Sequence, residues 1–140
     1  MMKTTKVCVD CDPGVDDVWA LITLLKCEQR CNIELKAITV CTGNTNVKNG
    51  CQNALLILKT LNRMDVPVYA GSEDSLLIKD SFVSPSHGSD GLKDVINSNE
   101  KPSLDLLQTK HAVQALHDLI EEVKFIYTFP SQQLLIKISH

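Results

Sequence analysis

The sequence lacks a strong charge of either sign, a long apolar run and any internal repeat. Its 140 residues carry a formal net charge of -3 at pH 7, which gives no basic surface for nucleic acid or an anionic membrane. Its apolar stretches, such as 20–25, are far shorter than the about 20 residues that span a bilayer. The amino terminus also has no apolar run of the kind found in secretory signals. We therefore expect a soluble, cytoplasmic protein that binds neither nucleic acid nor membrane.

Cysteine is well represented, with six residues at positions 8, 11, 27, 31, 41 and 51. The first four resemble the spacing of a four-thiolate zinc site. Cys8, however, falls on a predicted strand and Cys11 at its exit, where residues an odd number of positions apart tend to point to opposite faces. We therefore favour reduced, mostly buried thiols, and keep structural zinc as the alternative.

Four short segments rich in apolar and β-branched residues predict buried strands, and they lie at 6–10, 35–40, 66–70 and 125–129. Helical patterns alternate with them, so we expect parallel strands joined by right-handed crossovers. This order predicts an α/β fold, in which a mostly parallel, Rossmann-like sheet is flanked by helices.

Three helices are predicted between these strands. The first begins with Asp12 as its N-cap and Pro13 at its first position, and it ends before Cys31. Apolar residues at helical spacing mark the other two: Ala54, Leu55, Leu58 and Leu61 in the second, and Ala112, Val113, Leu116, Leu119 and Ile120 in the third. The segment 72–102 predicts a long polar loop, with one short helix around 92–96.

Polar segments follow the predicted strands at 10–17, at 42–44 and from Gly71 onward. In parallel sheets, ligands bind at the carboxyl ends of the strands. We therefore expect these three segments to meet at one edge of the sheet and to form a functional site there.

Four aspartates, Asp10, Asp12, Asp16 and Asp17, lie close together in the first of these segments. Carboxylates so close repel one another, and a divalent cation with oxygen ligands, calcium or magnesium, relieves that repulsion. The alternative is that they only stabilise the start of a helix. An EF-hand is excluded, because its loop needs a glycine midway and a glutamate at its end.

The segment 10–17 (DCDPGVDD) resembles the signature of the inosine-uridine preferring nucleoside hydrolases. The resemblance continues, in the order of that family, through 42–44 (TGN), 53–54 (NA), 66–71 (VPVYAG) and 87–92 (HGSDGL). It covers about residues 6–123, the amino-terminal portion of a family member, and we predict that 1–123 form the amino-terminal part of a nucleoside hydrolase-like domain.

The resemblance implies calcium-dependent hydrolysis of the N-glycosidic bond of a ribonucleoside to ribose and a free base. It implies that Asp12 is the general base and also contacts the metal, and that Asp17 is a metal ligand. Asp10 is expected to orient these groups without binding the metal itself. The carboxylates would stabilise positive charge that develops on the ribose in the transition state.

The resemblance further implies that Asp16 and Asn44 bind the sugar. His87 is expected beside the sugar or base, with a solvated loop histidine as the alternative. His111, at the start of a predicted helix, is expected to be structural. The family's Gly-Leu-Gly is replaced here by Gly-Leu followed by Lys93.

From Lys124 onward the resemblance fails, and we predict a divergent tail over 124–140. A family member continues into a Gly-Pro-Leu-Thr-Asn-like turn, a late metal-binding aspartate and a late histidine. The expectation is therefore a truncated chain whose catalytic activity is open. The alternatives are a non-catalytic α/β binding module, which a homo-oligomer could stabilise by burying its exposed faces, and, less favoured, a phosphotransferase.

Overall fold

The computed structural model describes residues 4–73, 85–120 and 125–128. Its strands are β1 (Thr5–Cys11), β2 (Ile33–Val40), β3 (Val68–Ala70) and β4 (Phe125–Thr128). Its helices are α1 (Val15–Cys31), α2 (Val47–Thr60) and α3 (Ala112–Leu119). Short 3-10 turns occupy Pro85–His87, Ser98–Glu100 and Leu104–Leu106.

The four strands form one parallel sheet in the order β3-β2-β1-β4. β1 lies between β2 and β4, and Asp10 and Cys11 at its end pair with Thr39 and Val40 at the end of β2. The carboxyl ends of the two strands therefore lie side by side. This confirms the predicted parallel α/β architecture and brings the segments after β1 and β2 to the same edge.

Helices cover both faces of the sheet. On one face Val7, Val9 and Cys11 pack in the main core, to which α1 contributes Leu21 and α2 contributes Leu58. On the other face Cys8 and Ala37 pack against Leu116 and Leu119 of α3. In α3 only Ala112 and Ala115 are fully buried, whereas Val113, expected on the apolar face, is 65% exposed.

Three of the six cysteines, Cys8, Cys11 and Cys51, are buried, Cys27 and Cys41 are half-buried, and Cys31 is exposed. Cys8 and Cys11 belong to different core clusters, which separates the first two ligands of the zinc alternative. All six cysteines are free. Burial raises the pKa of Cys8, Cys41 and Cys51 to about 12, so these thiols stay protonated near neutral pH.

Two local predictions are wrong. Asp12 is not the N-cap of α1, which begins at Val15 after Gly14 and has no side-chain cap; the Asp12 carboxylate accepts a hydrogen bond from the loop after β2 instead. The short helix around 92–96 is absent because Lys93 and Asp94 have φ angles of 61° and 56°. A right-handed helix cannot accommodate that conformation.

The carboxyl end of α1 is tied to the neighbouring elements through a buried carboxylate. Glu28 Oε1 accepts a hydrogen bond from Leu35 N at 2.6 Å, and Glu28 forms an ion pair with Arg63 beyond α2. Asn32 ends α1 in the left-handed conformation that glycine or asparagine adopts at this position. Within the described part of the chain, no helix is long and apolar enough to cross a membrane.

Candidate active site

Two carboxylates, Asp12 and Asp17, lie together in the buried space where β1 leads into α1. Asp12 is 5% exposed and Asp17 is 4% exposed. Asp17 lies in the first turn of α1, and its Oδ2 accepts a hydrogen bond from Asp12 N at 3.2 Å. The chain therefore folds back between β1 and α1, so that the Asp17 carboxylate accepts a hydrogen bond from the backbone of Asp12.

The loop after β2 fixes the Asp12 side chain. Asn44 N donates to Asp12 Oδ2 at 2.7 Å, and Asn44 Nδ2 donates to the Asp12 carbonyl at 3.2 Å. Gly43 approaches so closely that a Cβ atom there would collide with the Asp12 carboxylate. Only glycine at position 43 allows the two loops to come this close.

The crowding of acidic groups changes their protonation. Burial raises the pKa of Asp12 above its ordinary value. Burial, followed by the neighbouring charge of Asp12, raises the pKa of Asp17 to about 8. Two such carboxyl groups hold one proton between them near neutral pH, or else require a cation nearby.

The other two aspartates of the cluster lie in different surroundings. Asp10 is the last but one residue of β1, and its Oδ1 accepts a hydrogen bond from Thr39 Oγ1 at 2.6 Å. Burial raises the pKa of Asp10, and the Thr39 hydroxyl opposes that rise. The Asp16 side chain is 70% exposed, and its Oδ1 lies 3.9 Å from His87 Nδ1.

His87 comes to the same edge from a distant part of the chain. Its Nδ1 accepts a hydrogen bond from Val15 N, the first residue of α1, at 3.2 Å. A side chain at Gly14 would collide with Asn44 Nδ2 at 2.7 Å and with His87 Nδ1 at 2.8 Å. Three segments thus meet around Gly14. They are residues 12–17, here called the carboxylate turn, residues 41–46, the β2 loop, and residues 87–94, the histidine loop.

The structure therefore brings five of the six predicted site residues close to this turn: Asp12, Asp16, Asp17, Asn44 and His87. The sixth, Asp10, lies beside them on β1, and Asp12 contributes to its raised pKa. His111 is the N-cap of α3 and accepts a hydrogen bond from Val113 N through Nδ1, which is the structural place expected for it.

The donor set suits a hard cation in kind, because buried carboxylates that crowd one another are typical ligands of calcium or magnesium. The set contains few ligands, however. Within residues 4–73, 85–120 and 125–128, no three or more His, Cys, Asp or Glu side chains lie close enough together to hold a metal ion. Calcium takes about six to eight oxygen ligands. Asp12 and Asp17 can therefore supply only part of such a site.

Sequence reasoning gave no role to Asn53, although a polar residue between Cys51 and Ala54 on the apolar face of α2 signals one. Asn53 is 1% exposed. Its Nδ2 donates to the carbonyls of Pro13 and Asp90, and it thereby links the carboxylate turn to the histidine loop.

Comparison with protein families gives a match over residues 7–130 to the family described as inosine-uridine preferring nucleoside hydrolase. An inosine-uridine preferring nucleoside hydrolase of Leishmania major is 36% identical over 129 residues, which are 90% of this chain and 39% of that protein. An uncharacterised protein of Schizosaccharomyces pombe is 31% identical over 99% of this chain and 41% of its own length.

Solved structures show the same similarity. A plant nucleoside hydrolase superposes with a TM-score of 0.78 and 27% identity, covering 90% of this chain and 39% of the plant protein. A purine-preferring ribonucleoside hydrolase from Gardnerella vaginalis has a TM-score of 0.71 and 33% identity, covering 84% of this chain and 37% of that protein. The chain thus spans about two fifths of the length of these relatives.

Proposed function

Because the chain belongs to the inosine-uridine preferring nucleoside hydrolase family, we propose that its carboxylate turn binds the ribose of a ribonucleoside and serves hydrolysis of the N-glycosidic bond. The observation that carries this proposal is the buried pair Asp12 and Asp17, whose crowding is costly unless it serves a ligand. The Leishmania relative acts on inosine and uridine according to its name, and we take these two nucleosides as the first substrates to test.

Asp12 is the proposed general base. Asn44 N and the tight approach of Gly43 hold its carboxylate in one orientation, as a base that must meet a single water molecule requires. Burial raises the pKa of Asp12, which strengthens it as a proton acceptor from the attacking water. The remaining negative charge of the carboxylate turn stabilises an oxocarbenium-like ribose as the nucleobase leaves.

Asp12 and Asp17 are the proposed protein ligands of a calcium ion. Asp10 is proposed to orient them without binding the ion itself. When bound, calcium supplies positive charge that acidifies water and attracts sugar hydroxyls. Asp10 is held by the Thr39 hydroxyl and orients the turn from the side of the sheet.

Asp16, Asn44 and His87 are the proposed contacts to the nucleoside. Asp16 is exposed at the edge, where its carboxylate can accept a hydrogen bond from a ribose hydroxyl. The Val15 N–H bonds His87 Nδ1, so a neutral imidazole carries its proton on Nε2 and offers that N–H to an acceptor on the substrate.

The test is ribose release from inosine and from uridine by the purified chain, with calcium or with a chelator. We expect calcium-dependent release that Asp12→Asn abolishes. The matched control is Asp118→Asn, the same change at an exposed aspartate of α3 that pairs with Lys110, and it should retain activity. Release that survives Asp12→Asn would contradict the assignment of the base.

A non-catalytic nucleoside-binding module is the second candidate, and the small donor set of the described residues favours it. In that case the folded chain binds inosine or uridine by calorimetry, in an Asp12-dependent manner, but releases no ribose. Absence of both binding and turnover in the folded chain would contradict both candidates.

A further inference from the structure

Asn53 connects two loops of the candidate site through a single buried amide. Its Nδ2 donates to the Pro13 carbonyl at 2.9 Å and to the Asp90 carbonyl at 2.8 Å. These bonds use both hydrogens of the amide. Its Oδ1 is buried without a hydrogen-bond partner among the described residues, and the opposite orientation would place that oxygen against two carbonyls. The geometry therefore fixes Asn53 as a double donor.

The two carbonyls belong to the two segments that the proposed chemistry must keep in register. Pro13 follows Asp12 directly, and Asp90 lies three positions after His87. The segments pack closely at Gly91, where a Cβ atom would lie 3.0 Å from Asn53 Nδ2 and 3.1 Å from the Pro13 carbonyl. Asn53 thus sets the separation between the carboxylate turn and the histidine loop.

The histidine loop can transmit that placement because it is internally braced. Asp90 Oδ1 accepts hydrogen bonds from Leu92 N at 2.7 Å and Asp94 N at 3.0 Å. The Asp94 carboxylate in turn accepts from Ser89 N and Asp90 N. Lys93 N also donates to the His87 carbonyl at 2.7 Å, so displacing the Asp90 carbonyl would shift this loop together with His87.

We propose that Asn53 is a positioning residue, which holds His87 against the amino terminus of α1 so that the imidazole and the carboxylate turn face one ligand. The inference rests on the proposed function for the identity of that ligand. The positioning itself does not depend on a ligand, because Asn53 and His87 each form a hydrogen bond to a residue of the segment 13–15.

The first test measures hydrogen exchange of the Val15 amide by NMR in the wild-type chain and in Asn53→Leu. The Val15 N–H donates to His87 Nδ1, so loss of positioning should speed its exchange at least tenfold relative to amides in the middle of α1. Equal exchange in the two proteins would overturn the proposal. If Asn53→Leu does not fold, Asn53→Asp keeps the size of the side chain but replaces the donor, and the same outcomes apply.

Two controls separate positioning from general loss of stability. Leu58→Ala removes a fully buried side chain further along α2 and should change the exchange of Val15 and of the middle of α1 by the same factor. Asn49→Ala removes a bond to the Ser89 carbonyl but leaves Pro13 bonded to Asn53, and should have an intermediate effect. A selective effect of Leu58→Ala on Val15 as large as that of Asn53→Leu would also overturn the proposal.

The second test is a double-mutant cycle on inosine binding with calcium. His87→Ala should weaken binding about tenfold in the wild type and in Leu58→Ala, but less than about twofold in Asn53→Leu, where the imidazole is no longer positioned. The same factor in all three backgrounds would overturn the inference. If the wild type binds no inosine while Val15 exchange responds as expected, the positioning stands and the proposed function fails.

Discussion

Replacing Asp17 by asparagine should stabilise the calcium-free protein, and increasingly so as the pH rises. The pKa of Asp17 is raised to about 8 by burial and by the charge of Asp12, so the folded chain holds this proton more tightly than the unfolded chain does. The associated stability is fully present below the ordinary aspartate value and is lost as the pH rises toward 8. Asparagine has no proton to lose and avoids that loss.

The size of the effect follows from the shift in pKa. A rise from 3.8 to about 8 corresponds to an upper limit of about 6 kcal/mol, at about 1.4 kcal/mol per pH unit. Relaxation of the turn and entry of water reduce this value, and we expect a difference of about 2 kcal/mol in the free energy of unfolding to build up between about pH 5 and pH 8.5.

Urea unfolding of wild type and Asp17→Asn across that pH range, in the presence of a chelator, measures the difference directly. Asp118→Asn is the control, because Lys110 holds the pKa of Asp118 below its usual range and no gain at high pH is expected. A difference between wild type and Asp17→Asn that stays flat from pH 5 to pH 8.5 would refute the reasoning. With calcium added, the order should reverse if Asp17 is a calcium ligand as proposed, because the wild type would then gain more stability from binding than the variant.

Two further substitutions test the close approach of the loops and the anchor of α1. Gly43→Ala should weaken calcium and inosine binding at least about tenfold by calorimetry, because its Cβ displaces the Asp12 carboxylate; unchanged binding would contradict the proposed role of this contact. Arg63→Ala should lower the free energy of unfolding by about 1–2 kcal/mol, since Glu28 stays buried without its ion pair, and an unchanged urea midpoint would contradict it.

The sequence was sufficient to predict the fold and the edge at which the candidate site lies. Short apolar and β-branched segments predicted the strands, helical spacing of apolar residues predicted the helices, and the alternation of the two predicted a parallel sheet. Parallel strands end at a common edge, which accounts for the meeting of Asp12 with Asn44, 32 positions apart. The proximity of Asp12 and Asp17 followed from their local spacing.

The bonds that connect separate segments could not be predicted in this way. His87 contacts Val15 across 72 positions, and Asn53 reaches Pro13 and Asp90 across 40 and 37 positions. Propensity and periodicity report only on neighbours in the chain. The left-handed turn at Lys93 likewise depends on the carboxylate of Asp90, which accepts the N–H groups on either side of it.

The wrong assignment of Asp12 as a helix cap shows that contacts between loops can override the local capping preference of an aspartate. An aspartate before Pro-Gly at a helix start favours capping, worth about 1 kcal/mol, yet Gly14 occupies the N-cap without a side-chain bond. The Val15 N–H is bonded instead by His87, and the Asp12 carboxylate is turned toward Asn44. The His87 side chain thus caps part of the helix start in place of Asp12. The Asp12 carboxylate is then available to form the buried acidic pair with Asp17. Departures from local rules of this kind are expected where function competes with propensity.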